Sequence, residues 1–405
     1  MTSTSRPATA HLAPSSGGAG ARRRVRNLCR VVALLTATVI GLLGAAPSAQ
    51  ADTVAAASAA MDTAIPAYLT SLETKTSDKD PRYLEDNVWH DGTPDCFRCA
   101  FGPAVLSAQY AVSGASFDEA AMKVAVDTID LGIADHQRPD GAFIPAATNE
   151  GGPDIQTLLF ANVVAEVYLI LGPHLDADHQ KRWASSLKRS ATWLIRNGNL
   201  TWYTNGNLNL ALTMNMDLTY KITGSWRFKQ AAKKSLAFTL HPPQRRWPGF
   251  GLQYSKAPSK ADGSDGAAYL AESGGEDPGY DPAYSLFQSN LAAFWYLLTG
   301  DKAAERLTNL LYNQMLPRVR KSDWTIDVSG GTRRAAPGVR YRFGTSALVI
   351  LALKGGRTEL RDDVQSQTKI VLDDYRGALD YSHAAYSYNY GAELTPIYRM
   401  LMTAR

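Results

Sequence analysis

Cysteine is nearly absent: three in 405 residues, at positions 29, 96 and 99. No second C-x-x-C and no H-x-x-x-H completes a zinc site with Cys96 and Cys99, and no βαβ pattern surrounds them as a redox pair would need. The pair in "PDCFRCAFG" is read as a short disulfide pinning a loop, with free thiols as the alternative. Acidic residues are missing from the first 51 positions, where Arg6, Arg22, Arg23, Arg24, Arg26 and Arg30 stand alone. Strand-like runs are few, "SDWTIDV" and "VRYRF" being the best. After Ala46 no apolar run is expected to reach membrane-spanning length. Magnesium, calcium, nucleotide and flavin motifs are also lacking, so no cofactor is implied.

The missing acids have an explanation in what stands there. An arginine-rich start, the apolar stretch "VVALLTATVIGLLGAA" (31–46) and Ala49-Gln50-Ala51 read as a secretion signal cut after Ala51. "RRRVRNL" leaves a twin-arginine route open beside the general one. Without that segment the chain carries 36 basic against 38 acidic residues, although the full sequence carries 42 against 38. The overall basicity therefore belongs to the export signal and gives no reason to expect nucleic acid or a membrane as partner. A secreted, monomeric protein is expected, with residues 52–405 forming one domain.

Repetition supports the single domain. Four helix-like segments end alike: "YAVSG" (110–114), "YLILG" (168–172), "YKITG" (220–224) and "YLLTG" (296–300). A fifth, "LVILALKGG", ends in glycine without the tyrosine. Glycine suits the residue after a helix because it enters the left-handed conformation cheaply. A recurrence of 50–60 residues with helices throughout predicts repeated αα-hairpins. Amphipathic partners such as "LDADHQKRWASSLKRSATWLIRNG" follow the marked helices, which are more uniformly apolar. With "AELTPIYRMLMTAR" as the last member, six inner and about six outer helices predict an all-α fold, an (α/α)6 toroid. An open α-solenoid is the rival.

In a toroid the inner helices run parallel, so the loops leading into them gather at one mouth. In order they are "HDGTPDCFRCAFGP", "ATNEGGPD", "WYTNGNLN", "SGGEDPGYDPAYS", "RRAAPGVRYRFG" and "DYSHAAYSYNYG". They are rich in Asn, Asp, Tyr, Arg and Gly, whereas the opposite loops, such as "TGDKA", are short and bland. Loops on a rigid scaffold are where function concentrates. The hairpin repeat, the Asn-rich "TNGNLN" and the "GYDPAY" loop together resemble the (α/α)-toroid polysaccharide lyases, among them alginate, glucuronan and hyaluronate lyases. The resemblance implies β-elimination on a uronate-containing polysaccharide. The Asn-His neighbour pair of many such lyases is missing, since Leu208 and Asn209 follow Asn207.

Elimination removes the C5 proton beside a carboxylate, which needs donors aimed at that carboxylate. Asn205, Asn207 and Asn209 with Arg340 or Arg342 could supply them, and Tyr280, Tyr284 and His383 could move the protons. The catalytic set expected is therefore Tyr280, Tyr284, His383 and Asn207. Asn205, Asn209, Arg340, Arg342, Trp202, Tyr203 and Tyr388 are expected to bind substrate. The other histidines, His90, His136, His174, His179 and His241, are expected in solvent, and Asn205 and Asn207 are equally suited to capping a helix.

Two other readings compete. A glycoside hydrolase would draw two carboxylates from the same mouth, from Glu276, Asp277 and Asp281, with Asp95, Glu150 and Asp154 as further choices. A non-catalytic carbohydrate-binding protein would need only aromatic surfaces, such as Trp202, Tyr203, Trp247, Phe250 and Tyr254. In any of these the Pro/Gly-rich segment 241–266 could act as a lid.

Overall fold

The computed structural model describes residues 101–113, 116–144, 153–201, 204–273, 277–343 and 346–375. The expected export signal, Cys96, Cys99 and the sixth inner helix lie outside the described residues. So do Trp202, Tyr203, Glu276, His383 and Tyr388. All described residues belong to one compact unit, Ala51–Arg405.

Ten described α-helices alternate between two layers. The inner ones are α1 (Phe101–Ser113), α3 (Pro153–Leu171), α5 (Gly206–Thr223), α7 (Pro282–Thr299) and α9 (Ser346–Leu353). The outer ones are α2 (Glu119–His136), α4 (Ala177–Arg196), α6 (Trp226–Leu240), α8 (Lys302–Met315) and α10 (Arg361–Tyr375). Each inner helix packs on the next inner helix and on its own outer partner, α1 on α3, α3 on α5, α5 on α7 and α7 on α9. This is an (α/α) toroid of αα-hairpins, as the repeat predicted.

The ends of α5 and α7 follow the recurring signature, whereas Gly172 opens a 3-10 turn after α3. Gly224 and Gly300 take φ of 66° and 67°, and their N–H groups donate to the carbonyls of Tyr220 and Tyr296. Asp118, Asp176, Asp281 and Asp301 cap the starts of α2, α4, α7 and α8 with side-chain oxygens. These contacts satisfy backbone groups that each helix end leaves over.

One segment departs from the hydropathy expectation. Pro153–His174 is long and apolar enough by composition to cross a membrane, yet in the fold it is mostly buried as inner helix α3 and the turn after it. The inner layer is also less uniformly apolar than its sequence suggests. Asn162, Thr213, Asn215, Asp217, Gln288 and Ser289 are all buried on inner helices. Asn162 Nδ2 donates to the Ala211 carbonyl, and Trp295 Nε1 to Asp217 Oδ2, so polar ties join α3 to α5 and α5 to α7.

Two small sheets interrupt the helices. Strands β1 (Leu252–Lys256) and β2 (Ala267–Leu270) form an antiparallel hairpin between α6 and α7. Strands β3 (Val319–Arg320), β4 (Thr325–Asp327) and β5 (Arg340–Arg342) form a second sheet between α8 and α9. The latter contains both runs singled out as strands. The expectation of a lid over 241–266 meets a different geometry. Arg306, Asn309 and Asn313 of α8 donate to the carbonyls of Ala261, Asp262, Ser264 and Gly266, tying the tip to the outer layer.

Candidate functional site

Three loops meet at the N-termini of α5 and α7. Gly206 opens α5 pressed against the end of β2: its N–H donates to the Ala271 carbonyl at 3.1 Å. A Cβ at this position would stand 2.5 Å from Leu270 Cβ, so only glycine permits the approach. Ala268 and Leu270 face the buried side of β2, and past the strand Ala271 and Glu272 are buried as well. Glu272 therefore enters the interior between two inner helices.

Its carboxyl group is held asymmetrically. Oε1 accepts from the Asn207 backbone N–H and from Gln288 Nε2, each at 2.7 Å. Oε2 is buried with no hydrogen-bond partner among the described residues. Burial is the main cause that pushes the Glu272 pKa up to about 8, the neighbouring Asp281 charge adding to it. The Asn207 and Gln288 donors and the Arg333 charge pull the other way without prevailing. The group is thus a protonated acid near neutral pH, beside a helix N-terminus.

Asp281 joins the second and third loops. Oδ1 accepts from Tyr284 N, while Oδ2 accepts from Thr332 Oγ1 at 3.2 Å and from Arg333 N at 3.1 Å. The Arg333 guanidinium then lies 3.7 Å from the Tyr284 ring centroid, a close cation–π contact. Tyr280, one residue before the cap, packs on Tyr269 at 5.2 Å and lies under Arg318 at 5.6 Å. Burial pushes its hydroxyl up to about 12, which suits an acid and disqualifies it as a base near neutrality.

The structure places the expected residues as follows. Asn207, Tyr280, Tyr284 and Asp281 come together at the starts of α5 and α7. Asn205 is the N-cap of α5 by backbone geometry but makes no side-chain cap bond. The Asn207 side chain instead folds onto its own helix, its Oδ1 accepting from Leu208 N. Asn209 is buried in the first turns of α5. Arg340 donates to Thr325 Oγ1 and to the carbonyls of Thr325 and Arg318, which ties it into the small sheet. Arg342 lies in β5 beside it. Asp277 is exposed, and Asp154 accepts from Ile155 N in the first turn of α3.

The histidine expectation changes in two places. His136 is buried, with Nδ1 at 2.9 Å from the Ile144 carbonyl, and His179 contacts Asp176 and Asp130. Both belong to the outer layer. Trp247 packs edge-on against Phe238 of outer helix α6. Among the described residues no group of three His, Cys, Asp or Glu is placed to hold a metal ion.

Glu272, Gln288, Arg318 and Arg333 are the members that residue types alone did not single out. The signal for Glu272 was its place as a lone acid ending the apolar run in "AAYLAE".

No family model matches the chain, and no curated protein matches it. Several solved structures are similar. A D-mannose isomerase is 13% identical, with 83% of this chain and 97% of that chain covered and a TM-score of 0.47. A family 76 glycoside hydrolase from a bovine Bacteroides thetaiotaomicron strain is 11% identical, with 88% and 78% covered and a TM-score of 0.48. An inactive variant of the α-1,6-mannanase of a Salegentibacter species, in complex with α-1,6-mannotriose, is 13% identical. It covers 76% of this chain and 98% of its own, with a TM-score of 0.38.

Proposed function

We propose that this chain is a secreted carbohydrate-active enzyme that hydrolyses glycosidic bonds at the mouth of its toroid, with Glu272 as the general acid. The observation that carries the reading is the state of Glu272. It is a buried carboxyl with one oxygen held by two donors, the other without a partner, and a pKa raised to about 8. Glycoside hydrolysis needs a carboxylic acid that still holds its proton at working pH and a second carboxylate nearby. Asp281, whose charge acts on Glu272, supplies the second carboxylate in this reading. The proton passes from Glu272 Oε2 to the departing glycosidic oxygen, while Asp281 takes a proton from the water whose oxygen bonds to the anomeric carbon as the glycosidic bond breaks. Glu272 has no exposed surface in the fold, so productive binding has to bring it into contact with substrate.

β-Elimination is the second reading, and one observation favours it. The Arg333 guanidinium lies over the ring of Tyr284, which sets a cation beside a phenol at the mouth. In that reading Tyr284 is the proton carrier and Asn207 belongs to the substrate-binding mouth.

The test is Glu272→Gln, which keeps shape and hydrogen bonding but cannot donate a carboxylic proton. Saccharide cleavage is expected to fall by about 10²-fold or more with the helical circular-dichroism spectrum unchanged. Cleavage at wild-type rate by the folded variant would refute the assignment.

A further inference from the structure

Charge is segregated on the outside of this toroid. From His179 to Ala261 the sequence holds fourteen Lys or Arg residues and one acidic residue, Asp217, in a chain that carries 42 against 38. This stretch includes all of outer helix α6 and most of outer helix α4, where Asp130 of α2 pairs with Arg182 and Asp178 stands in the first turn. The single acid does not balance the cations at the surface: Asp217 is buried and bonded to Trp295 Nε1. Burial is the main cause that raises its pKa, against the pull of the Trp295 hydrogen bond and of Lys221 and Lys229.

Helix α6 is the most one-sided element. Arg227, Lys229, Lys233 and Lys234 lie on it, Lys221 precedes it, and Arg245 and Arg246 follow it. Among the described residues none of these seven forms an ion pair with a carboxylate. At the N-terminal end of α6 stands Trp226, 59% exposed, the most exposed of the large apolar side chains described. Lys229 Nζ is 5.0 Å and Lys233 Nζ 5.8 Å from its ring centroid, residues three and seven further on sharing its face. Lys229 is also 5.0 Å from the Tyr220 ring at the end of α5.

Clustered like charges repel one another, so an anionic partner is favoured at this face. We propose that the α6 face, with Trp226 as stacking platform and Lys229 and Lys233 as its charged flank, binds an anionic polysaccharide at a site separate from the mouth. The ring offers a flat apolar surface to a sugar, and the ammonium groups beside it meet carboxylates carried on neighbouring sugar units. A polymer suits the geometry, since the α6 cations are spread along a helix of about 20 Å. This site binds and does not cleave, and it does not depend on how the mouth reacts.

The test uses polygalacturonate as the probe, with neutral mannan and single-stranded DNA as comparisons, in affinity electrophoresis of the folded protein. Polygalacturonate is expected to retard the wild type, mannan and DNA much less, with the retardation lost in high salt. Trp226→Ala and the double change Lys229→Gln, Lys233→Gln are each expected to weaken it by about tenfold, and Glu272→Gln to leave it unchanged. Trp226 is largely exposed, so its loss should leave the fold intact, which circular dichroism of each variant is to check. Equal retardation of wild type and both variants would overturn the proposal. So would equal or stronger binding of DNA, which would mark a general polyanion surface without sugar recognition.

Discussion

Glu272 is the residue whose physics reaches furthest. A carboxyl group whose pKa rises from 4.5 to about 8 on folding holds its proton in the native state while the unfolded chain releases it. Between those two pH values the native state binds more protons, so this group makes stability fall as pH rises. Glu272→Gln cannot ionise. The melting temperature of the wild type is therefore expected to drop relative to the variant as pH climbs from about 4.5 to about 8, as scanning calorimetry would record. Parallel curves would show that Glu272 is ionised throughout, and the acid role would fail with that result. Little of this was visible in residue types. Asn, Tyr and Arg stand out in the polar loops, whereas Glu272 follows an apolar strand, and its importance comes from what surrounds it. Asn207, chosen for its amide, contributes a backbone N–H to Glu272.

At the scale of elements, the starts of α5 and α7 set the site. The Asp281 cap joins the first turn of α7 to Thr332 and Arg333, so it anchors two loops at once. Asp281→Ala is expected to cost roughly 1–2 kcal/mol in urea denaturation, as loss of a cap does. Asp281→Asn, which can still cap, should keep most of that stability while lowering hydrolysis if Asp281 is the second carboxylate. An unchanged rate in the asparagine variant would remove Asp281 from the chemistry. Gly206 is the other fixed point. Gly206→Ala forces a Cβ against Leu270 and is expected to destabilise by about 1–3 kcal/mol, as overpacking does. Activity should fall with it, because the same contact positions Glu272 beside α5. A variant as stable and active as the wild type would show that the close approach is dispensable. Helix ends were legible in advance, since the Gly224 and Gly300 signals depend only on local backbone geometry. The 241–266 segment was not. Its Pro and Gly content suggested a free lid, but α8 side chains satisfy its tip carbonyls, a long-range pairing that composition does not encode.

For the whole molecule, the periodic glycines and alternating helix character carried the fold, because an αα-hairpin repeat is written in local propensity and amphipathicity. Charge was read less well as a single total. Near-neutral balance over residues 52–405 concealed a run of cations on and around α6, which appears only when acids are counted segment by segment. The choice of chemistry at the mouth also could not be read from composition, since hydrolysis and elimination use overlapping residue types. It rests on which group holds a proton in the folded chain. The most direct test incubates the protein and Glu272→Gln with neutral and uronate-containing polysaccharides, following new reducing ends and the ultraviolet absorbance of an unsaturated sugar together. The account predicts reducing ends without that absorbance, lost in Glu272→Gln. Unsaturated product, or cleavage undiminished in the folded variant, would contradict it.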